Sequence, residues 1–180
     1  MLPAEEAKRI LDTAELICST AVVADTVKRM AAEINVALAD KYPLVLSVMG
    51  GAVVFTGQLL PLLKFPLDFD YLHVSRYDNK TQGGQINWKV PPQENVQGRV
   101  VLVLDDILDE GITLAAIRER IMGRGASAFY SAVFADKNIG RAKPISADFV
   151  GVTLPNRYVF GFGMDVNGAW RNLPAIYAIK

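Results

Sequence analysis

The chain has almost none of the residues on which several kinds of chemistry depend. It has one cysteine, Cys18, in 180 residues. No intrachain disulfide can form, and a four-cysteine metal site is excluded. Cys18 falls in an apolar pattern and is read as a small buried hydrophobe rather than a nucleophile. There is also one histidine, His73. It lies within an apolar and polar alternation and is expected in the core or at a sheet edge, not in catalysis. A Ser-His-Asp triad would have to be built around it, and the sequence has no nucleophile elbow. Neither sign of charge is in excess, with Lys+Arg and Asp+Glu both at 19. No global basic field exists to hold nucleic acid by counterion release. No apolar run approaches the roughly 18 residues of a membrane span, and the opening MLPAEEAKRI has acids where a secretory leader needs bases. The expectation is a cytoplasmic protein with neither nucleic acid nor membrane as partner.

What is present is a globular composition, 51% hydrophobic and 21% charged. It is enough for a real core in one domain. Ile10, Leu11, Ala14, Ile17 and Cys18 recur at helical spacing, as do Val23, Val27, Met30, Ala31, Ile34 and Leu38. These predict two amphipathic helices before about residue 40. Pro43 breaks the pattern. Leu44–Val48 reads as a strand ending in the turn Met49-Gly50-Gly51, Ala52–Leu63 as a helix, and Leu67–Val74 as a strand. Residues 75–98 are polar, with Gly83-Gly84 and Pro91-Pro92, and predict a long mobile loop.

Val100–Leu104 is continuous and mostly β-branched, the signature of a strand buried on both faces of a parallel sheet. Leu114, Ile117, Ile121 and Met122 stripe the helix after it. Strands are also expected over Ala126–Ala135, Phe149–Val152, Val159–Phe162 and Ala175–Ile179. Strands alternating with helices predict an α/β fold with a largely parallel central sheet.

The chemistry concentrates in Val100-Val-Leu-Val-Leu-Asp105-Asp106-Ile-Leu-Asp109-Glu110-Gly111-Ile112-Thr113. A buried strand runs into two adjacent carboxylates, then a third, then Gly and Thr at a helix start. Ligands of open α/β sheets sit at the carboxyl ends of strands. A turn opening into a helix offers backbone N–H groups and a positive dipole end to a phosphate. Gly111 allows close approach, and Thr113 can donate its hydroxyl and cap the helix. Carboxylates repel phosphate but suit hydroxyls, a hard cation or a base N–H. The segment therefore predicts a ligand with a phosphate and a polyhydroxyl part, together with Mg²⁺. Asp-Asp alone would serve equally as a turn with an N-cap; the whole string does not read that way. Neither a G-x-x-x-x-G-K-[ST] loop nor a G-x-G-x-x-G fingerprint is present.

This string resembles the phosphoribosyl pyrophosphate signature of the type I phosphoribosyltransferases. Residues from about 44 to 180 resemble their hypoxanthine-guanine branch, through Met49-Gly50-Gly51, Ser75-Arg76-Tyr77, Lys137, Tyr158-Val159-Phe160-Gly161, Met164-Asp165 and Arg171-Asn172-Leu173. The resemblance implies a fold with a small hood lobe from about 1–40 and part of 155–180, a core over about 41–155, and a lid over about 75–98. It implies purine salvage: transfer of phosphoribosyl to N9 of hypoxanthine or guanine, with Mg²⁺ as cofactor. A xanthine preference, or a phosphoribosyl pyrophosphate sensor on the same fold, is the alternative. Family members form homodimers or homotetramers.

Residue by residue, the resemblance gives Asp105 and Asp106 to the ribose hydroxyls, directly or through Mg²⁺. The loop Asp109, Glu110, Gly111, Ile112 and Thr113 goes to the 5′-phosphate, and Asp109 also to the proton at purine N7. Met49, Gly50, Gly51, Ser75, Arg76, Tyr77 and Arg171 go to pyrophosphate. Lys137 goes to O6, Tyr158 and Val159 to the base, and Asp165 to the base side and to Mg²⁺. Three positions depart from the family pattern: Met49 where a Lys often stands, Arg76 within the Ser-Tyr pair, and Glu110 in place of a small hydroxyl residue.

Overall fold

The computed structural model describes residues 2–76, 86–92 and 95–180. Helix α1 (Ala4–Thr13) leads into strand β1 (Glu15–Cys18) and helix α2 (Thr20–Leu38). Then follow β2 (Leu44–Met49), α3 (Val53–Leu59) with a 3₁₀ turn over Leu60–Leu62, β3 (Asp68–Arg76), β4 (Ile86–Val90) and β5 (Val100–Leu108). The chain continues through α4 (Ile112–Gly123), β6 (Ala128–Asn138), β7 (Phe149–Pro155), β8 (Val159–Phe160) and β9 (Ile176–Ala178). The large sheet has the order β4-β3-β2-β5-β6-β7. All its neighbours are parallel except the β3/β4 edge pair. The largely parallel α/β architecture is as expected.

β5 lies inside this sheet, and its alternation divides the core. Leu102 and Leu104 face α2 and α3, packing with Val27, Met30, Ile34, Phe55 and Phe134. Val101 and Val103 face α4, packing with Leu114, Ile117 and Ile121. Both faces are dry, which is why the run carries no polar alternation. Helix α2 begins at Ser19, whose hydroxyl accepts from the Val22 N–H at 3.4 Å, a cap of the type worth about 1 kcal/mol.

A second, antiparallel sheet has the order β1-β9-β8. Of residues 1–40, β1 joins this small sheet while α2 packs on the large one. Trp170 ties the two ends of the chain together, its indole N–H donating to the Ala7 carbonyl at 2.7 Å.

Four local expectations are corrected. Residues 15–18 form a strand, not the end of a helix, because they pair with residues 176–178; helical spacing over so short a stretch is coincidental. Cys18 is nevertheless buried. Residues 86–90 form an edge strand inside the expected loop, with Ile86, Trp88 and Val90 more buried than Asn87 and Lys89. Arg120 of α4 lies 4.5 Å over the Trp88 ring. β5 continues through Asp105 and Asp106 to Leu108, and β6 through Lys137 to Asn138, so these residues sit on strands and not in the turns after them. Finally, α4 is capped by Gly111, in the left-handed region at φ 82° and with no side-chain cap bond, so Thr113 does not cap it.

Candidate active site

Parallel order brings the carboxyl ends of β2, β3, β5 and β6 to one edge of the sheet. A cavity of about 450 Å³ opens there. It is lined by Met49, Gly50 and Gly51 after β2, Ser75 on β3, and Asp105, Asp106 and Asp109 on and after β5. Gly111, Thr113 and Arg171 complete the expected set, while Glu110 and Ile112 are not in the lining. The Met49–Gly50 peptide is cis. Arg76 ends β3; Tyr77 lies outside the described residues.

The two adjacent carboxylates are fixed by the backbone that follows each. Asp105 Oδ1 accepts from the Asp106 N–H at 3.0 Å, and Asp106 Oδ1 from the Ile107 N–H at 2.9 Å. Burial pushes the Asp106 carboxyl above its ordinary range, against the opposing pull of hydrogen bonds from Asp105 and the backbone and of the Arg171 charge. Asp106 also fixes what its neighbours can be. A Cβ on Gly51 would overlap the Asp106 carboxylate, and one on Gly163 would overlap the Gly51 carbonyl oxygen. Gly163 has φ +99°, so glycine is required there twice over.

The C-terminal loop closes over this contact. The Gly163 N–H donates to the Arg171 carbonyl at 2.9 Å, and Arg171 Nη1 donates back to the Gly163 carbonyl at 2.6 Å. Arg171 Nη2 pairs with Asp165, whose other carboxylate oxygen accepts from the Gly168 N–H at 2.6 Å. The guanidinium is thereby held rigidly at the cavity wall.

A second cavity of about 240 Å³ adjoins the first and shares Asp106, Ile107 and Asp109 with it. Lys137, Tyr158, Val159, Met164 and Asp165 complete its lining. Every residue assigned to a base is here. Lys137 is largely buried and donates from Nζ to Asp109 Oδ2 at 3.0 Å. Tyr158 lines this cavity and is 53% exposed.

Glu110 is accommodated by a partner the sequence did not suggest: Arg141 pairs with it at 2.7 Å, drawing its charge away from the backbone N–H groups of the loop. Lys143 braces the same region, donating to the Leu108 carbonyl at 2.7 Å and pairing with Asp136. A larger hollow of about 740 Å³ lies along β6 and the segment that follows it, but it shares only Leu108 and Lys137 with the two cavities. Its Asp136 and Asp148 are answered by Lys143 and Ser131, and it lies apart from the Asp105–Thr113 string on which the strand-end cavities converge.

Several lining residues lie outside the set expected from the sequence. Ile107 borders both cavities, Met164 borders the second, and His73 borders the first. His73 is two residues before Ser75 on the same strand, and that spacing was the available signal.

The donor set fits Mg²⁺. It consists of carboxylate oxygens, and no three carboxylates, imidazoles or thiolates converge on one point among the described residues. Mg²⁺ is bound through one or two carboxylates plus substrate oxygens and waters, whereas a closed protein cage would favour another metal.

The model of the phosphoribosyl transferase domain matches residues 18–167. A hypoxanthine-guanine phosphoribosyltransferase of Bacillus subtilis (strain 168) is 33% identical over 170 residues, covering 94% of each chain. A hypoxanthine-guanine-xanthine phosphoribosyltransferase of Tritrichomonas foetus is 34% identical over 155 residues, 86% of this chain and 85% of that one. The crystal structure of a hypoxanthine phosphoribosyltransferase from Staphylococcus aureus superposes with a TM-score of 0.89 at 25% identity, over 96% of this chain and 95% of that one.

Proposed function

This chain belongs to the phosphoribosyl transferase domain family, and from that membership and its site we infer an enzyme of purine salvage. It transfers phosphoribosyl from 5-phosphoribosyl 1-pyrophosphate to N9 of hypoxanthine or guanine, releasing pyrophosphate. The observation that carries the reading is the junction of the two cavities at Asp106, Ile107 and Asp109. A sugar phosphate in the first and a base in the second would meet there.

The roles of individual residues follow from their chemistry. Asp105 and Asp106 accept hydrogen bonds from the ribose 2′- and 3′-hydroxyls. The backbone N–H groups over 109–113, at the N-terminus of α4, hold the 5′-phosphate. Gly50 and Gly51 let the backbone approach the pyrophosphate, Ser75 faces it from β3, and Arg171 offers it a planar fork of donors. Lys137 donates to purine O6 and would meet no acceptor at the amino group of adenine. Tyr158 stacks on the ring and Val159 presents backbone groups to its edge. Asp109, beside Lys137, accepts the proton at N7 as N9 bonds to C1′ and the C1′–pyrophosphate bond breaks. Mg²⁺, held by Asp105 and Asp106 or by Asp165 and the substrate oxygens, would supply charge stabilisation of the leaving pyrophosphate.

Xanthine also carries O6, so the same contacts serve it. Nothing in the geometry favours a sensor over an enzyme. Phe69 and Tyr71, two residues apart on β3, are 44% and 43% exposed. Assembly as a homodimer or homotetramer is part of the proposal. No helix among the described residues is long and apolar enough to cross a membrane, and a cytoplasmic setting is part of the proposal.

The test is product identification. Incubation with Mg²⁺, phosphoribosyl pyrophosphate and hypoxanthine should yield inosine monophosphate and pyrophosphate in equal amounts. A folded protein that forms no nucleotide from hypoxanthine, guanine or xanthine would refute the reading.

A further inference from the structure

Among the described residues, the lining of the first cavity is short of positive charge where a diphosphate would lie. Its described lining carries the carboxylates of Asp105, Asp106 and Asp109 against the guanidinium of Arg171. That guanidinium is already shared with Asp165 and the Gly163 carbonyl. Met49, which opens the Gly50-Gly51 turn, brings no charge and no N–H donor in its side chain. A polyanion therefore enters a lining richer in acids than in bases. Like charges across a contact are costly, so a further described donor beside Arg171 would lower that cost.

One more group in the described lining can supply a side-chain N–H: His73, the chain's only histidine. It is the register partner of Met49 in the parallel β2/β3 pair. Register partners in a parallel pair project to the same face of a sheet, so the imidazole stands beside Met49 at the edge where the glycine turn begins. His73 is partly exposed, whereas Leu72 before it is fully buried in the core. Ser75, two residues on, shares its face and also lines the cavity. The imidazole is thus aligned along β3 with the turn on one side and the serine on the other.

We propose that His73 is a diphosphate-binding residue, donating an imidazole N–H to the pyrophosphate group of phosphoribosyl pyrophosphate and to the pyrophosphate product. The assignment rests on the phosphoribosyl-transfer reading. A neutral imidazole already has one N–H donor and the protonated form has two, so no particular protonation state is required. His73 recovers on β3 the donor function that the Met49 side chain does not provide on β2.

The full chain, with Mg²⁺, is titrated with inorganic pyrophosphate by calorimetry, and KM is measured separately for phosphoribosyl pyrophosphate and for hypoxanthine. His73→Ala should weaken pyrophosphate binding and raise KM for phosphoribosyl pyrophosphate by about tenfold, equivalent to about 1.4 kcal/mol. KM for hypoxanthine should stay within about twofold, since the base cavity does not include His73. His73→Leu keeps bulk without the donor and should show the same pattern, so either folded variant suffices. Unchanged pyrophosphate affinity in a folded variant overturns the proposal. So does an equal loss of affinity for both substrates with a lowered melting temperature, which marks a structural role. If the unaltered protein itself makes no nucleotide, the transferase reading fails, while the pyrophosphate titration still decides whether His73 binds the anion.

Discussion

The Lys137 ammonium and the Asp109 carboxylate meet at 3.0 Å at the junction of the two cavities. In the proposed reaction, the pair would set a donor for O6 and an acceptor for the N7 proton side by side. Removing the ammonium should cost catalysis and selectivity together. In Lys137→Ala, kcat/KM for hypoxanthine should fall by roughly tenfold to a hundredfold, the cost of a lost charged hydrogen bond. Adenine should be discriminated against less strongly. Steady-state kinetics with both bases checks this; an unchanged ratio of the two would remove Lys137 from base selection.

Asp109→Asn keeps the shape of the side chain and removes its basicity. The variant should bind phosphoribosyl pyrophosphate with little change, while kcat falls by about a hundredfold to ten-thousandfold, the usual range for loss of a positioned base. Equilibrium binding and single-turnover rates separate the two effects. A normal rate with every purine would mean that Asp109 only positions Lys137.

Gly163→Ala places a Cβ against the Gly51 carbonyl oxygen at a positive φ. Neither side of that contact is a flexible side chain, so backbone must move. The protein should lose more than about 1 kcal/mol of stability. Its KM for phosphoribosyl pyrophosphate should rise, because the Gly50-Gly51 turn moves with it. Gly57→Ala is the control, since no heavy atom lies within 4 Å of its added Cβ and it sits on α3, outside both cavities.

Burial raises the Asp106 pKa in the folded protein above its ordinary 3.8. The folded state therefore keeps this proton to higher pH than the unfolded chain does. The stability it confers is complete below the ordinary carboxylate value and is lost as pH rises through the raised one. Asp106→Asn should accordingly raise the melting temperature of the ligand-free protein at neutral pH and flatten the decline of stability above pH 4, while weakening ribose binding. Melting curves across that range test the sign; a variant less stable than the parent at neutral pH would contradict it.

The sequence exposes most of the chemistry because the site is built on the ends of buried strands. Val100–Leu104 reads as a core strand and is one, and the acids after it line the cavity at its end. What it hides is contributed by distant segments. The pairing of residues 15–18 with 176–178 leaves no local trace, so an apolar run there imitates a helix. Arg141, which neutralises Glu110, lies 31 residues away. The alternation of Ile86, Trp88 and Val90 is present in the letters but sits between polar and proline-rich flanks that suggest a loop. His73 looked like an ordinary strand residue because its meaning depends on Met49, its neighbour across the sheet and not along the chain.

The most direct test is pyrophosphate release from phosphoribosyl pyrophosphate and Mg²⁺, with hypoxanthine, guanine, xanthine and adenine compared at equal concentration. Release with hypoxanthine or guanine and not with adenine is the predicted result, and the xanthine rate ranks the substituent at C2. Release with adenine alone, or with no base at all in a protein that still binds phosphoribosyl pyrophosphate, would contradict the account.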